Sequence, residues 1–543
     1  MATTVESPSR AAAEPDQRKV PDLGALTLRY AFPAAVIVVA VGIGLRFFTT
    51  SAAWLDEAIS INISKLPISK IPGALRHDGA PPLYYFLLHF WMRLFGSSDV
   101  AVRALSGVAS VITLPFAFIA GKRLAGRAGA WSALVLLASS PFALSYATSA
   151  RMYSLMILWS LLLFLALARA LEEPSRGRLI AVGAATAVIL YTHYWGLYFI
   201  LVVGIWLLYQ GLGVPARGWS ALRRGAMRSL RDGGLERAER NHLRCLVAMF
   251  VGSLTFLPWV PSFIFQTLHT GTPWSNAAGP ADILSVLNEY SGGGAWGTAL
   301  GLTLFTLLLL GLYGRSIAGR QVLVELHVRR RVKPLAFVFF GTLIVAVLFG
   351  VIAQAAFVGR YTAMVFPLFI LIISVGASVF ADRRVLAVIL AWCCLCGIVV
   401  GIDSNTSPRT EAVKVAAVIN EVASPGDLVV YCPDQLGPDA SRLIHVPVQQ
   451  ATFPRETPPE RVNWVDYRKT IEQTNAQQFA SDMIARAAGH DLWFVWRDGY
   501  PGLDGKCGKV FTWLQDLRSN GQELVHNQPT TYYEHEALVR FPV

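Results

Sequence analysis

Long apolar runs alternate with short polar loops along most of this chain. Between about residue 31 and residue 402, many of these runs approach or reach the roughly 20 residues that an α-helix needs to cross a bilayer. The pattern predicts a polytopic α-helical membrane protein with about eleven spanning helices. We place these helices at 31–48, 99–120, 128–147, 153–170, 179–194, 196–212, 245–264, 298–313, 334–353, 362–380 and 384–402.

One further apolar run, "PPLYYFLLHFWMRLFG" (81–96), is short for a span and contains His89 and Arg93. Counting it as a span would also move every later basic loop to the opposite side of the membrane. We therefore predict that it lies in the membrane interface, as one of the outer-loop helices around residues 55–97.

The positive charges decide the orientation. The connection 213–244 is rich in arginine, and the loop 314–333 contains the run Arg329, Arg330 and Arg331. With eleven spans these loops fall on one side, which the positive-inside bias makes cytoplasmic. We therefore predict a disordered cytoplasmic tail at residues 1–30, and an extracytoplasmic location for everything after residue 402. The protein is expected in the cell membrane.

Composition agrees with this class. The chain is 54% hydrophobic and only 15% charged, which excludes an ordinary soluble enzyme. Its formal net charge of +12 would also suit a nucleic-acid-binding protein. Because the positive charges lie in short loops between apolar runs, we predict membrane lipids and no nucleic acid as partners.

The residues from about 405 to 543 have a different pattern. The helix "RTEAVKVAAVINEVA" precedes the strand "LVVYCP", and the helix "YRKTIEQTNAQQFASDMIARAAG" precedes the strand "DLWFVWRDG". This alternation predicts a soluble extracytoplasmic α/β domain with a parallel sheet. Cys432 and Cys507 would lie there in an oxidising compartment, so they either form a disulfide or remain two small hydrophobic residues.

Polar and ionisable residues gather at the outer ends of the predicted spans. Such residues are costly near a bilayer, so their positions are informative. They are Asp56, Glu57, His77, Asp78, Arg103, Tyr146, Arg151, Tyr153, Thr192, His193, Tyr194, Gln266, His269, Arg360 and Tyr361. The predicted topology puts them all in one layer, which indicates an outward-facing active site. A transporter more often places its polar groups near the midplane of the bilayer.

Six motifs in this layer resemble, in sequence order, those of the GT-C membrane glycosyltransferases. The motifs are "WLDEAIS", "HDGAPPLYYFLLHFWMRLFG", "ARMYSL", "YTHYWGLYFIL", "FLPWVPSFIFQ" and "GRYTAMVFPLFIL". They look like those of the bacterial dolichyl-phosphate-mannose-protein mannosyltransferase-like and aminoarabinose-transferase-like enzymes, and the resemblance extends to about residue 402.

The resemblance implies a GT-C-like catalytic domain at 31–402 and an inverting glycosyltransferase. A sugar, mannose or a pentose such as arabinose, would pass from a polyprenyl-phosphate donor to an extracytoplasmic glycan, lipoglycan or protein of the cell envelope. Two alternatives remain open. One is a transporter or flippase of lipid-linked glycans without catalysis, and the other is a structural membrane protein that recruits partners through its outer domain.

The resemblance also assigns roles to the acidic residues. Asp56 corresponds to the acidic general base of the first outer loop, which accepts the proton of the attacking hydroxyl. Glu57 would hold the acceptor or tune Asp56, since neighbouring carboxylates shift each other's pKa. On the residues alone, an Asp-Glu pair is equally a cap at a helix N-terminus.

The basic residues Arg151, Arg360, His193 and Arg103 are predicted to bind the donor phosphate. A guanidinium can bond two phosphate oxygens at once, although arginines at such depths often only reach for lipid headgroups. Relatives often carry Glu two residues before the arginine of "ARMYSL", where this chain has Ser149. That difference limits how much detail carries over around Arg151.

The predicted contacts to sugar or acceptor are His77, Asp78, Tyr153, Tyr194, Trp195 and Tyr361. The bland alternative for the aromatic residues is an interfacial belt. Asp56, Glu57 and Asp78 could supply oxygen ligands to a divalent cation. The resemblance does not require a metal, so we predict no metal site and no cofactor.

Overall fold

A computed structural model of the chain describes residues 23–213, 237–272, 275, 278–317, 321–353, 356–499 and 505–543, with side chains from residue 30 onward. Most of the predicted tail at 1–30 therefore lies outside the described residues. The same holds for most of the arginine-rich connection 213–244.

Up to residue 406 the described chain is almost entirely helical. The first helices are α1 (Leu23–Leu45), α2 (Leu55–Ser64), α3 (Ile71–Asp78), α4 (Leu83–Phe95), α5 (Asp99–Ala138), α6 (Pro141–Ala147), α7 (Tyr153–Glu172), α8 (Arg176–Thr192) and α9 (Trp195–Gly211). The next are α10 (Arg237–Leu254), α11 (Val260–His269), α12 (Asp282–Ser291), α13 (Gly294–Tyr313), α14 (Lys333–Ala353), α15 (Phe366–Ala377) and α16 (Arg383–Thr406). Short 3-10 helices occur at Ile68–Lys70, Leu257–Trp259 and Gly359–Met364.

Six helical segments of the described chain are long and apolar enough to cross a membrane. They are Asp99–Ala138, Tyr153–Glu172, Arg237–His269, Gly294–Tyr313, Lys333–Ala353 and Arg383–Thr406. Shorter apolar helices lie at Tyr30–Leu45, Trp195–Gly211 and Phe366–Ala377. The predicted polytopic helical architecture is therefore present, whereas the count of eleven spans and their orientation stay predictions.

The helix α5 differs from its predicted counterparts. Ala125 and Gly126 have non-helical backbone angles, so α5 consists of two helices that meet at this break. Gly126 has a φ of +64°, which glycine adopts at little cost. The second helix ends at Ala138 instead of continuing to 147 as predicted. Ser140 caps a separate helix, α6, through the N–H of Ala143, and Pro141 opens that helix.

The helix α15 lies at the centre of the helical part. All of its residues are buried, and it packs against α5 and α13. A helix that is apolar on every side needs neighbours on every side, and "FPLFILIISVGA" meets that condition. The 3-10 helix just before α15 carries Arg360, so a buried helix anchors this functional candidate.

The residues after α16 form a sheet with flanking helices. A small hairpin, β1 (Gly314–Ser316) with β2 (Val322–Val324), lies earlier in the chain. The helices α17 (Ala412–Val422), α18 (Gly437–Leu443), α19 (Tyr467–Gln473), α20 (Ala476–Ala487) and α21 (Lys506–Leu517) accompany the strands β3 (Leu428–Cys432), β4 (Gln449–Thr452), β5 (Leu492–Trp496), β6 (Gln522–Val525) and β7 (Ala537–Phe541).

The strand order is β4-β3-β5-β7-β6. The strands β4, β3 and β5 are parallel, whereas β7 runs antiparallel to both β5 and β6. The prediction of a parallel sheet is therefore wrong for the last two strands. A parallel crossover normally needs a helix, and the connection 526–536 contains none, so β7 returns antiparallel to β6.

A second correction concerns the predicted single helix at 467–489, which is two helices. The chain breaks at Thr474 and Asn475, and the Asn475 side chain accepts hydrogen bonds from the N–H groups of Gln477 and Gln478. Asparagine is a favoured N-cap, so it starts a new helix here instead of continuing the old one.

Cys432, at the end of β3, and Cys507, in α21, are joined by a disulfide, with their Cα atoms 5.5 Å apart. Cys393, Cys394 and Cys396 are free and buried in α16.

Replacing both Cys432 and Cys507 by serine should lower the free energy of unfolding of the C-terminal residues by about 2–5 kcal/mol. The crosslink spans 75 residues, and without it the unfolded chain regains conformational entropy. Thermal unfolding of the full chain in detergent, followed by tryptophan fluorescence, measures the change. Wild type with a reductant should unfold like the double variant, and equal unfolding temperatures of variant and oxidised wild type would contradict the prediction.

Candidate active site

The two neighbouring acids of the first outer loop lie in the first turn of α2. Carboxylates are stabilised at a helix N-terminus by the helix dipole. Successive residues of a helix point about 100° apart, so the two side chains reach different surroundings. The Asp56 side chain is 17% exposed, whereas that of Glu57 is fully buried.

Glu57 forms an ion pair with Arg103 of α5. Arg103 donates from Nε to Oε1 at 2.9 Å and from Nη2 to Oε2 at 2.6 Å, and the N–H of Ala150 donates to Oε1 at 2.7 Å. Burial alone would raise the pKa of Glu57, but the Arg103 guanidinium and these hydrogen bonds lower it overall. These contacts point Glu57 and Arg103 at each other, so they fit a structural role better than the catalytic and phosphate-binding roles predicted for them.

Asp56 lies between two arginines. Its Oδ2 atom is 3.5 Å from Nη2 of Arg360 and 3.9 Å from Nε of Arg151. Arg151 is held in place by hydrogen bonds to the Asp56 carbonyl at 3.2 Å and to Ser60 Oγ at 3.0 Å. Among the described residues, Asp56 Oδ2 is buried without a hydrogen-bond donor. The carboxylate thus has charge partners nearby while its oxygen remains able to accept a proton.

A small cavity of about 120 Å³ opens beside Asp56. Its wall includes Asp56, Asp78, Arg151, His193, Arg360 and Tyr361. Tyr85 donates a hydrogen bond to Asp78 Oδ2 at 2.9 Å. Burial raises the pKa of Asp78, although the nearby Arg151 acts in the opposite direction. A carboxylate, a second acid and two guanidinium groups therefore meet in one enclosed space.

A larger cavity of about 500 Å³ lies on the other side of Arg360, which borders both. Eight of its fourteen lining residues carry a hydroxyl group, and the wall also contains Trp54, Glu289 and Arg409. Within the described ranges of the chain, no group of three or more His, Cys, Asp or Glu side chains is arranged to hold a metal ion.

The structure brings together most of the residues predicted for the site. Asp56, Asp78, Arg151, His193, Arg360 and Tyr361 line the small cavity, and Tyr153 lines the larger one. The ring centroids of His193 and Tyr361 are 4.7 Å apart. Residues from five separate sequence motifs therefore converge around Asp56.

Three predicted sugar contacts line neither of these cavities. Tyr194 hydrogen-bonds Gln266 and accepts a bond from Trp259 Nε1 at 3.0 Å. Trp195 is buried and packs edge-on against Phe357. The His77 side chain is exposed, and its carbonyl accepts from the N–H of Trp464 at 3.1 Å. These residues shape the surroundings of the site instead of its walls.

Several lining residues were missed by the sequence analysis, namely Trp54, Glu289, Arg409, Trp464, Thr531 and Tyr533. Glu289 supplies a carboxylate in the same cavity wall as Ser149, and it accepts a hydrogen bond from Tyr146 at 2.9 Å. The acid that this chain lacks at position 149 is thus replaced, in the cavity, by one from α12. None of these residues belongs to a recognisable short motif.

The C-terminal residues hold the N-terminus of α2. Glu534 Oε2 accepts a hydrogen bond from the N–H of Leu55 at 3.0 Å, and its own N–H donates to the carbonyl of Arg409 at 2.9 Å. Nearby, Thr410 donates to Asp439 Oδ2 at 2.6 Å. A side chain far along the sequence therefore caps the helix that carries Asp56.

Glu534 belongs to a buried group of carboxyls with Asp439 and Glu536. Burial raises the pKa of Asp439 to about 6. Burial and the neighbouring acids raise the pKa values of Glu534 and Glu536 well above their ordinary value. The folded state therefore retains protons that the unfolded chain would release at the same pH.

Stability of the C-terminal region should fall as pH rises. A carboxyl with a raised pKa stabilises the fold fully below its ordinary pKa, and this contribution is lost as pH passes the folded value, about 6 for Asp439. Thermal unfolding at pH values from about 5 to 8 checks the direction. Asp439→Asn should flatten the dependence, while the exposed Asp516→Asn should leave it unchanged. A stability that increases over this range would rule out the assignment.

Comparisons with known proteins agree with this geometry. Residues 79–216 match the family model described as dolichyl-phosphate-mannose-protein mannosyltransferase. The chain superposes on ArnT from Cupriavidus metallidurans bound to undecaprenyl phosphate with a TM-score of 0.56 at 13% identity, covering 96% of this chain and 98% of that one. The apo form of ArnT gives a TM-score of 0.57 at 12% identity with the same coverage. No curated protein matches the chain.

These matches show that the chain has the fold of the GT-C membrane glycosyltransferases, so the predicted resemblance is confirmed. With its apolar helices, the chain is a membrane protein.

Removing the charge of Glu57 should destabilise the protein. Glu57→Ala leaves Arg103 buried without its partner, which typically costs about 3–5 kcal/mol. The unfolding temperature in detergent should drop clearly, and Glu57→Ala/Arg103→Met should recover part of the loss because no unpaired charge remains. A stable Glu57→Ala protein that has lost only activity would instead support the catalytic role predicted from the sequence.

Proposed function

We propose that this protein is an integral-membrane inverting glycosyltransferase. It moves a sugar from a polyprenyl-phosphate donor to an acceptor on the extracytoplasmic side of the membrane. The observation that carries the proposal is the Asp56 carboxylate, which lies within 4 Å of two guanidinium groups at the wall of an enclosed cavity.

Asp56 acts as the general base. It takes the proton of an acceptor hydroxyl while the oxygen attacks the anomeric carbon from the side opposite the phosphate. The bond from that carbon to the phosphate oxygen breaks, the configuration inverts, and the polyprenyl phosphate leaves with the electron pair. A positioned base of this kind contributes about 10²–10⁴ to the rate.

Arg151 and Arg360 bind the phosphate. The leaving phosphate gains negative charge as the bond breaks, and fixed cations in an enclosed site stabilise such charge strongly. Each guanidinium can bond two phosphate oxygens at once. Their distances of 3.5 and 3.9 Å from Asp56 exceed hydrogen-bonding contact, so a phosphate can engage them with little rearrangement.

The kind of donor is supported by the fold comparison. ArnT, whose structure contains undecaprenyl phosphate, is similar over nearly the whole chain. The family model that matches residues 79–216 is named for a mannosyltransferase. Mannose or a pentose such as arabinose is the sugar we favour, and a cell-envelope glycan, lipoglycan or protein is the acceptor. In this proposal the N-terminus is cytoplasmic and the reaction as written uses no metal or cofactor.

Asp56→Asn should lower transfer by about 10²–10⁴ while the protein remains folded, because the amide cannot accept the proton. Purified protein in detergent is given short-chain polyprenyl-phosphate mannose, arabinose or glucose with an oligosaccharide acceptor, and the product is measured. Asp516→Asn, on the exposed face of α21, is the matched control. Equal transfer by wild type and Asp56→Asn would remove Asp56 from catalysis. Absence of transfer with every donor would favour the alternative of a lipid-linked glycan transporter.

A further inference from the structure

The C-terminal segment Thr531–Glu534 reaches into the larger cavity, which no step of the proposed reaction has yet used. We propose that Tyr533 binds a saccharide unit of the acceptor there, which makes the C-terminal residues part of the transfer site. This inference rests on the proposed function and names the substrate class that the larger cavity takes.

The wall chemistry of the cavity indicates a saccharide. Eight of its fourteen lining residues carry hydroxyl groups, and one carboxylate and two guanidinium groups complete its polar lining. A polyprenyl chain in this space would leave those polar groups without partners, which is costly. A saccharide offers many hydroxyl groups for them and apolar ring faces for the aromatic residues. The volume of about 500 Å³ is typical of small-molecule sites.

Tyr533 presents the aromatic surface. Its side chain is 70% exposed although the residue lines the cavity, so much of the ring is available for contact. The ring meets Trp54 edge-on, with centroids 5.5 Å apart. The Tyr533 hydroxyl forms a hydrogen bond with Arg360. Two aromatic rings and a cation thus frame one corner of the cavity.

This corner lies next to the proposed base. Trp54 directly precedes α2, whose first turn contains Asp56. Arg360 contacts Tyr533 on one side and Asp56 Oδ2, at 3.5 Å, on the other. A saccharide held at Tyr533 therefore lies within reach of the carboxylate that must take its proton.

The position of Tyr533 is fixed from both directions. The next residue, Glu534, is buried and bonds the N–H of Leu55, at the beginning of α2. Its N–H bonds the carbonyl of Arg409, which lines the same cavity. The acceptor is the substrate that suits this wall, because the donor phosphate is assigned to Arg151 in the small cavity and the larger one is built partly by extracytoplasmic residues.

The test compares three variants in the transfer assay. Tyr533→Ala should raise the KM for an oligosaccharide acceptor roughly tenfold or more, as for loss of an aromatic anchor, with an unchanged KM for the donor. Tyr533→Phe keeps the ring and should stay within a few-fold of wild type. Tyr532→Ala is the matched control, since Tyr532 lies against Lys414 instead of in the cavity. An unchanged acceptor KM in Tyr533→Ala, or a change in the donor KM alone, would overturn the inference.

A binding measurement separates this inference from the proposed reaction. Titration of wild type with mannotriose and with arabinotriose, followed by tryptophan fluorescence, should show binding that Tyr533→Ala weakens and Tyr532→Ala does not. Transfer by wild type together with equal binding by Tyr533→Ala would refute only the assignment of Tyr533. Saccharide binding that depends on Tyr533 without any transfer would leave the saccharide site standing and refute the reaction. Wild type that binds neither probe would overturn the saccharide site.

Discussion

The buried ion pair between Glu57 and Arg103 is the interaction on which the geometry of the site depends. It fastens α2 to the beginning of α5, and the same carboxylate accepts the N–H of Ala150. The residue after Ala150 is Arg151, so one buried carboxylate sets the position of the base and of a phosphate-binding arginine together. Such pairs add little net stability, but removing one partner is costly, so the pair acts mainly as a geometric constraint.

This constraint divides the work between two neighbouring acids. Because consecutive helical residues point in different directions, Glu57 can turn into the protein only if Asp56 turns toward the cavity. The charges follow the same division. Glu57 has close hydrogen-bond donors and is fully buried, whereas Asp56 has arginines at 3.5 and 3.9 Å and some exposure to the cavity. One acid is therefore committed to structure and the other is left available for chemistry.

The sequence predicted the residues that lie in motifs and missed those that depend on packing. Asp56, Arg151, His193 and Arg360 were found because each belongs to a short pattern at a helix end, and a layer of helix ends brings such patterns together. The sequence could not tell that Glu57 and Arg103 face each other, since that depends on how α2 packs against α5. Tyr533 carried no signal, because a tyrosine in a polar C-terminal stretch resembles any surface residue.

The fold shows the same limit. Apolar runs predicted most of the helices, but the end of α5 at Ala138 depends on a local cap at Ser140 and on Pro141. The antiparallel strands β6 and β7 follow from a connection without a helix, which helix-and-strand alternation upstream does not reveal. Local chemistry thus decides where elements end, while long-range periodicity decides only that they exist.

Arg360 ties these observations together, because it borders both cavities and contacts groups on each side. In the protein without substrates its partners are Asp56 and Tyr533. A phosphate in the small cavity would compete with Asp56 for the guanidinium, so binding the donor would loosen the charge contact of the base. It would also draw on the group that orients Tyr533. Under the proposed function, donor binding and acceptor positioning are therefore linked through a single side chain, placed where the sugar must pass between them.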